Sequence, residues 1–165
     1  MNSLFIRKTT LEDLDIILKI YANAREVMHK NGNPHQWVNG HPTKEAIIKD
    51  INMGNSYVVL FNKEIVGVFS LIFGIDPTYL KIYDGKWLND EPYGTIHKIA
   101  SSYKVKGILK AAIDYGFNYV NNIRIDTHED NKVMRYLLNK YGFSYCGIIY
   151  LENGDPRLAY QKVKK

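Results

Sequence analysis

Cysteine is almost absent from this sequence of 165 residues, and the one that occurs is Cys146. A single cysteine cannot form a disulfide within the chain, and it excludes a metal site built from several cysteines. The sequence also lacks an apolar run near the roughly 18 residues that span a bilayer, and it lacks a basic-then-apolar signal at its start. We therefore expect a cytoplasmic protein that has no membrane partner.

Apart from the three lysines of the final KVKK, which we interpret as a tail, charge of one sign is not concentrated in the chain. Lysine and arginine number 22 against 17 acidic residues, which gives a formal net charge of +5. Because no basic stripe and no nucleic-acid-binding motif occurs, we expect no nucleic-acid partner. The histidines near residue 35 show no carboxylate-histidine spacing, so we predict no metal site.

What the sequence does contain is an ordinary globular composition, with 45% hydrophobic and 24% charged residues. Strand and helix patterns alternate from end to end without a linker, in the order β-α-α-β-β-β-α-β-α-β-β. This order predicts an α/β (α+β) fold in which helices flank one mixed sheet. The length indicates a single domain over residues 1–165.

The segment HKIASSYKVKGILKAAIDYGF, residues 97–117, joins a predicted strand to a helix expected from Lys106 to about Val120. The start of a helix offers unpaired backbone N–H groups and a partial positive charge, which suit a phosphate. Gly107 removes a Cβ where a ligand would approach, and Lys104, Lys106 and Lys110 add positive charge. The segment is therefore either a phosphate-binding loop or an ordinary strand-to-helix connection.

Two motifs resemble those of the GCN5-related N-acetyltransferase (GNAT) superfamily, and the element order resembles it from Ile6 to Val163. The family's pyrophosphate pattern [QR]-x-x-G-x-[GA] matches residues 104–109, with Lys104 and Leu109 as departures. A second pattern, N-x-x-A-x-x-L-Y-x-x-x-G-F, matches residues 131–143, and Leu138 stands at its tyrosine. The resemblance implies a mostly antiparallel, GNAT-like sheet.

The resemblance also implies acetyl-coenzyme A (acetyl-CoA) as co-substrate and transfer of its acetyl group to the primary amine of a small molecule, peptide or protein. Backbone N–H groups of the fourth strand, at His97, Lys98 and Ile99, would polarise the thioester carbonyl. The coenzyme-binding residues that it implies are Lys98, Ile99, Lys104, Val105, Lys106, Gly107, Ile108, Leu109, Lys110 and Asn131.

Catalytic candidates follow from the same resemblance. Asp126 stands where some members of the family carry a glutamate that acts as the general base. His97 lies on the neighbouring strand, and either residue can take the proton of the amine. Leu138 cannot protonate the departing thiolate, and Tyr141, one helical turn on, is the better substitute. Each has a structural alternative: Asp126 can belong to a polar turn, and His97 can be a packed, hydrogen-bonded residue.

The acceptor site is less defined by the sequence. In the family, the loop between the first two helices forms a wall of the acceptor cleft, and here that loop contains Trp37. We predict Trp37, Asp84 and His128 as substrate-binding residues, with the segment 76–92 as the second wall. A coenzyme A-binding sensor or scaffold without turnover remains the alternative function, and the sequence leaves a homodimer open.

Overall fold

The structure is a computed structural model that describes residues 3–165. Its helices and strands follow the predicted order. The strands are β1 (Phe5–Lys8), β2 (Ser56–Phe61), β3 (Glu64–Phe73), β4 (Gly94–Ser101), β5 (Asn122–Thr127), β6 (Ser144–Tyr150) and β7 (Pro156–Val163). The helices are α1 (Leu14–Lys30), α2 (Lys44–Asn52), α3 (Ile108–Gly116) and α4 (Lys132–Lys140), and short 3-10 turns occupy Leu11–Asp13 and Pro77–Tyr79. Among residues 3–165, no helix is both long and apolar enough to cross a membrane.

The seven strands form one sheet in the order β1-β2-β3-β4-β5-β7-β6. Every neighbouring pair is antiparallel except β4 and β5, which are parallel. The predicted fold class, a mixed and mostly antiparallel sheet flanked by helices, is therefore confirmed. Strands β2 and β3 form a hairpin, and its two turn residues, Asn62 and Lys63, have φ of +50° and +68°, as this tight turn requires.

Helices cover the two faces of the sheet unequally. The largest cluster of buried apolar residues lies between α3, α4 and one face, which we call the α3 face. On the opposite face, the α1 face, α1 and α2 pack over β2 to β4. The remainder of the α1 face is covered by the segment 76–93, because Tyr79 and Tyr93 bury themselves against Ile149 and Ala159. The α1–α2 layer and the segment 76–93 thus form two separate covers of the α1 face, and they meet above the middle of the sheet.

The parallel pair β4 and β5 is bonded only at its beginning. Gly94 pairs with Ile123 and Thr95 with Arg124, and beyond these residues the two strands separate. A bulge opposite Phe69, with Lys98 at φ +51°, bends β4 at the point where the strands part. We call the gap between residues 96–101 and 125–127 the wedge. It lies directly beneath the place where the two covers of the α1 face meet.

Both ends of one helix, α3, differ from the prediction. Helix α3 begins at Ile108 and ends at Gly116, whereas the sequence pattern predicted residues 106–120. Gly107 takes a left-handed conformation with φ +90°, so the helix cannot extend back through it. Lys104, Val105 and Lys106 therefore lie in the loop before the helix and not in its first turn.

Candidate active site

The first backbone N–H groups of α3 have no hydrogen-bond partners among residues 3–165. Gly107 is the N-cap, it has no side chain to cap the helix, and the first bond of the helix runs from the Ala111 N–H to the Gly107 carbonyl. The N–H groups of Ile108, Leu109 and Lys110 precede that bond and are free to bind an anion. A Cβ built on Gly107 would meet only Leu4 Cδ1, at 3.9 Å, so the space in front of the helix is open.

The charged side chains of this loop are mostly paired already. Lys104 Nζ donates to Glu64 at 2.5 Å, and Lys110 Nζ donates to Asp114 at 2.7 Å, both at exposed positions. Exposed pairs of this kind are weak, since about 0–1 kcal/mol is typical, so the lysines can exchange partners at little cost. Two serines bind backbone N–H groups of the loop: the Tyr103 N–H donates to Ser101 Oγ, and the Lys104 N–H donates to Ser102 Oγ.

The two leucines that depart from the family patterns both lie in the core. Leu109 is 6% exposed and Leu138 is fully buried, and both belong to the cluster on the α3 face. The Leu109 side chain therefore points away from the open start of α3, so it leaves the approach to that helix free. Leu138 fills the core with no polar atom, and it can donate no proton.

Asp126 lies on β5 at the wide end of the wedge, and it faces the α1 side. The buried Tyr79 hydroxyl, from the segment 76–93, donates to Asp126 Oδ2 at 2.6 Å. Burial and the Asp126 charge raise the pKa of Tyr79 well above its ordinary value, so Tyr79 stays a donor. This hydrogen bond occupies one carboxylate oxygen. The other, Oδ1, accepts no hydrogen bond from the described residues, so it is available to a ligand.

His97 lies on β4 across the wedge, where it forms a second pair with Asp76. His97 Nε2 is 3.0 Å from Asp76 Oδ2, and the rings of His97 and Tyr79 lie 6.2 Å apart. Burial alone would raise the pKa of Asp76, but hydrogen bonds from His97 and from Thr78 outweigh it and lower the pKa to about 2. Asp76 is therefore ionised at neutral pH, and it fixes the orientation of the imidazole. The two predicted bases, Asp126 and His97, thus meet at one cleft.

The loop between α1 and α2 reaches over the wedge. Trp37 packs edge-on against Tyr21 with ring centroids 5.7 Å apart, and the Tyr21 hydroxyl donates to the Lys98 carbonyl at 2.7 Å. Trp37 is therefore held beside the bulge of β4. The Lys98 side chain turns to the buried Asp50, whose Oδ2 it meets at 3.0 Å, so only the backbone of Lys98 is left for a ligand.

The same loop is tied to the far side of the wedge, at the start of α4. Asn131 caps α4 by accepting from the Met134 N–H, and its Nδ2 donates to Gln36 Oε1 at 3.1 Å. The rings of His35 and His128 lie 6.3 Å apart. His128 Nδ1 accepts from the Asp130 N–H at 3.0 Å, so its Nε2 is the ring atom left for other contacts. The loop thus bridges β4 and α4 and forms a wall of the cleft.

Two predicted residues lie away from this assembly. Asp84 is exposed next to Tyr83, which bridges to Ile148 of the edge strand β6, so two strands separate it from the wedge. The structure thus does not bring Asp84 to the acceptor cleft. Tyr141 is the C-cap of α4 and lies partly buried against the core of the α3 face. Its hydroxyl makes no hydrogen bond within residues 3–165.

Sequence reasoning missed three residues of the site. Tyr79 and Asp76 lie in a segment that has no helix or strand periodicity, and Gln36 lies in the loop between α1 and α2, which has none either. Asp76-Pro-Thr carried a usable signal, because Asp76 caps the short turn Pro77–Tyr79 by accepting from the Thr78 N–H. No group of three or more His, Cys, Asp or Glu side chains in the described part of the chain is placed to hold a metal ion.

Comparison with solved structures identifies the fold. An acetyltransferase of the GNAT family from Streptococcus agalactiae is 35% identical, with a TM-score of 0.87, and the match covers 98% of this chain and 96% of that one. A GNAT-family acetyltransferase from Listeria monocytogenes is 19% identical, with a TM-score of 0.72 and coverage of 97% and 94%. The NatC complex, solved with Gag peptide and CoA, has the same fold at 13% identity, with a TM-score of 0.60 and coverage of 99% of each chain. Neither a protein-family model nor a curated protein matches the chain. With this identity over almost its whole length to the S. agalactiae protein, the chain belongs to the GNAT family of acetyltransferases.

Proposed function

We propose that this protein transfers the acetyl group of acetyl-CoA to the primary amine of a small molecule, peptide or protein. The observation that carries the proposal is the wedge. Uncapped N–H groups at the start of α3 lie beyond the end of β4 that borders it, and Asp126, Tyr79 and His97 lie on its α1 side. A donor substrate and an acceptor can therefore approach from opposite faces of the sheet.

The residues before and in α3 fit a pyrophosphate. The N–H groups of Ile108, Leu109 and Lys110 point out of the helix start, and Gly107 leaves the approach open. Lys106 lies beside them and forms no ion pair within residues 3–165. Anions bind well at such a position. Acetyl-CoA, when bound, supplies a thioester whose carbonyl carbon accepts the amine nitrogen while the C–S bond breaks.

The acceptor amine must lose a proton to attack, and the cleft offers two groups that can take it. Asp126 is held by Tyr79 with its Oδ1 free, which suits a carboxylate that first attracts an ammonium group and then accepts its proton. His97, oriented by Asp76, is the second candidate. With Leu138 in the core, the departing thiolate leaves without a tyrosine at that position. A thiol of pKa about 8.5 needs little assistance near neutral pH. These groups favour turnover over a sensor that only binds coenzyme A.

The test is acetyl-CoA-dependent release of free thiol with a panel of primary amines, together with mass spectrometry of the products. We expect acetylated amine from the wild type and a loss of roughly 10²–10⁴-fold in kcat for Asp126→Asn. Glu152→Gln, at an exposed acidic position in the β6–β7 turn, is the matched control. Tight binding of acetyl-CoA without thiol release for any amine would refute catalysis and favour the sensor.

A further inference from the structure

Arg157 is a buried cation that has no anionic partner within the described part of the chain, residues 3–165. It lies on β7 and is 8% exposed, and its one side-chain hydrogen bond runs from Nη1 to the carbonyl of the preceding Pro156, at 2.8 Å. No carboxylate of the described residues lies within 4.0 Å of its guanidinium. Arginines this deeply buried almost always have a charged partner, because desolvation is costly.

The nearest carboxylates do not offset the cost of removing the Arg157 charge from water. Burial lowers the pKa of Arg157, and the attraction of Asp126 and Asp155, which are farther away, does not restore it. Arg124 is buried as well, and its Nε has no hydrogen-bond partner among the described residues, but aromatic rings and a carbonyl surround its guanidinium. Its guanidinium lies 4.1 Å from the centroids of both Trp87 and Tyr93, and it donates to the Asn89 carbonyl at 2.8 Å. Arg157 has no such aromatic stack.

Arg157 lies on the acceptor side of the wedge. Ala159 pairs with Asp126 across the antiparallel strands β7 and β5, so Arg157 is the diagonal neighbour of Asp126 on the same face. Diagonal neighbours of this kind are about 7–8 Å apart. The loop between α1 and α2 lies close by. Partial burial and the charges of Lys98, Arg25 and Arg157 lower the pKa of His41, although His41 remains partly exposed. A guanidinium and a carboxylate thus flank one cleft.

We propose that the acceptor is an amine that also carries a carboxylate, and that Arg157 binds this carboxylate while Asp126 receives the amine end. The inference rests on the proposed acetyl transfer and narrows its substrate class. A guanidinium binds a carboxylate through two parallel hydrogen bonds. Four of the five Arg157 donors form no hydrogen bond with the described residues, so they are available for this contact. The opposite charges at the two ends of the cleft complement an amino acid. Trp37 lies on the loop beside them as an apolar wall.

The experiment compares amines in matched pairs: glycine, leucine, phenylalanine and 4-aminobutyrate, each against its carboxamide. Acetyl transfer is measured as kcat/KM for the wild type, Arg157→Gln, Arg157→Lys and Arg135→Gln, an exposed control on α4. For each variant, kcat/KM for the acid is divided by kcat/KM for its carboxamide. This ratio is then divided by the wild-type ratio, because the amine groups of acid and carboxamide differ in basicity and the division cancels that difference. Calorimetric titration with acetyl-CoA verifies that each variant is folded.

We expect at least one carboxylate to be acetylated, and we expect Arg157→Gln to lower its acid-to-amide ratio by roughly 10²-fold or more. Arg157→Lys should recover part of this loss, since it keeps the charge and loses the planar fork. Acetyl-CoA affinity and the Arg135→Gln ratio should stay within about twofold of wild type.

Equal loss for acid and amide in Arg157→Gln would overturn the inference, and so would transfer to carboxamides alone or to no member of the panel. In each case, acetyl-CoA-dependent thiol release with any other primary amine leaves the proposed function standing, whereas no thiol release with any amine refutes the proposed function itself. Should Arg157→Gln not fold, inhibition of the wild type by the product decides. N-acetyl-leucine must then inhibit at least tenfold more strongly than N-acetyl-leucinamide, and equal inhibition refutes the role of Arg157.

Discussion

Replacing Asp76 by asparagine removes one negative charge from the cleft and keeps the size of the side chain. The amide oxygen can still accept from the Thr78 N–H and hydroxyl, which lie 2.9 and 2.7 Å from Oδ1 in the wild type. The pKa of Asp76 falls from its ordinary value of 3.8 to about 2 on folding. At roughly 1.4 kcal/mol for each pKa unit, ionised Asp76 contributes about 2 kcal/mol to the free energy of unfolding.

The sign of the pH dependence follows from the direction of this change. A lowered pKa stabilises the folded state above the unfolded value, and the contribution is lost as the pH falls through the folded value. The wild type should therefore exceed Asp76→Asn by about 2 kcal/mol from pH 5 upward, by roughly half of that at pH 3, and by little at pH 2.

Urea unfolding at several pH values, with Glu152→Gln as an exposed control, measures this difference. The control should track the wild type to within about 0.5 kcal/mol at every pH. A difference between wild type and Asp76→Asn that is constant from pH 2 to pH 7 would refute the reasoning. It would mean that the Asp76–His97 contact contributes through shape and not through charge.

Three further changes test neighbouring parts of the account. Tyr79→Phe removes the hydroxyl that holds Asp126 and keeps the ring in place, so we expect kcat to fall by roughly tenfold, as about 1.4 kcal/mol implies, with acetyl-CoA affinity unchanged. A fall in affinity would contradict that role. Leu138→Tyr should lower the free energy of unfolding by about 1–3 kcal/mol through overpacking, as urea unfolding would measure, because Leu138 is fully buried. A faster and equally stable Leu138→Tyr would mean that the wedge extends to this position. Gly107→Val should weaken calorimetric binding of acetyl-CoA at least tenfold, whereas Gly154→Val, at nearly the same φ and equally open, should not. An equal loss of acetyl-CoA affinity in both variants would mean that backbone strain, and not the added side chain beside the pyrophosphate, causes it.

The sequence predicted the fold well because its signals are local. Alternating and helical spacings mark the strands and helices, and the order of these elements is as predicted. The Asn62-Lys63 turn and Gly142, with φ +87° after α4, are local signals of the same kind, since each lies at the end of an element. The start of α3 was misplaced because the apolar spacing around Gly107 continues smoothly. Only the backbone conformation of that glycine ends the helix there.

The site was harder to predict because long-range contacts assemble it. Asp126 and Tyr79 are 47 residues apart, and Asn131 and Gln36 are 95 residues apart. A one-dimensional pattern contains no information on such pairs. The burial of Arg157 could not be predicted from the sequence either. An arginine in an edge hairpin has the pattern of an exposed charge, and only the folded structure shows that it is buried.

The most direct test of the central claim is a crystal structure of this protein with coenzyme A. The account predicts density for the pyrophosphate at the N–H groups of Ile108, Leu109 and Lys110, and for the thiol-bearing chain between β4 and β5, with the sulfur on the side of Asp126 and His97. A cavity of about 720 Å³ lies between α1, the β2–β3 turn and the loop before α3, and it is lined by Arg7, Lys19, Lys63 and Lys104 among others. Coenzyme A bound there, with the wedge between β4 and β5 empty, would contradict the account.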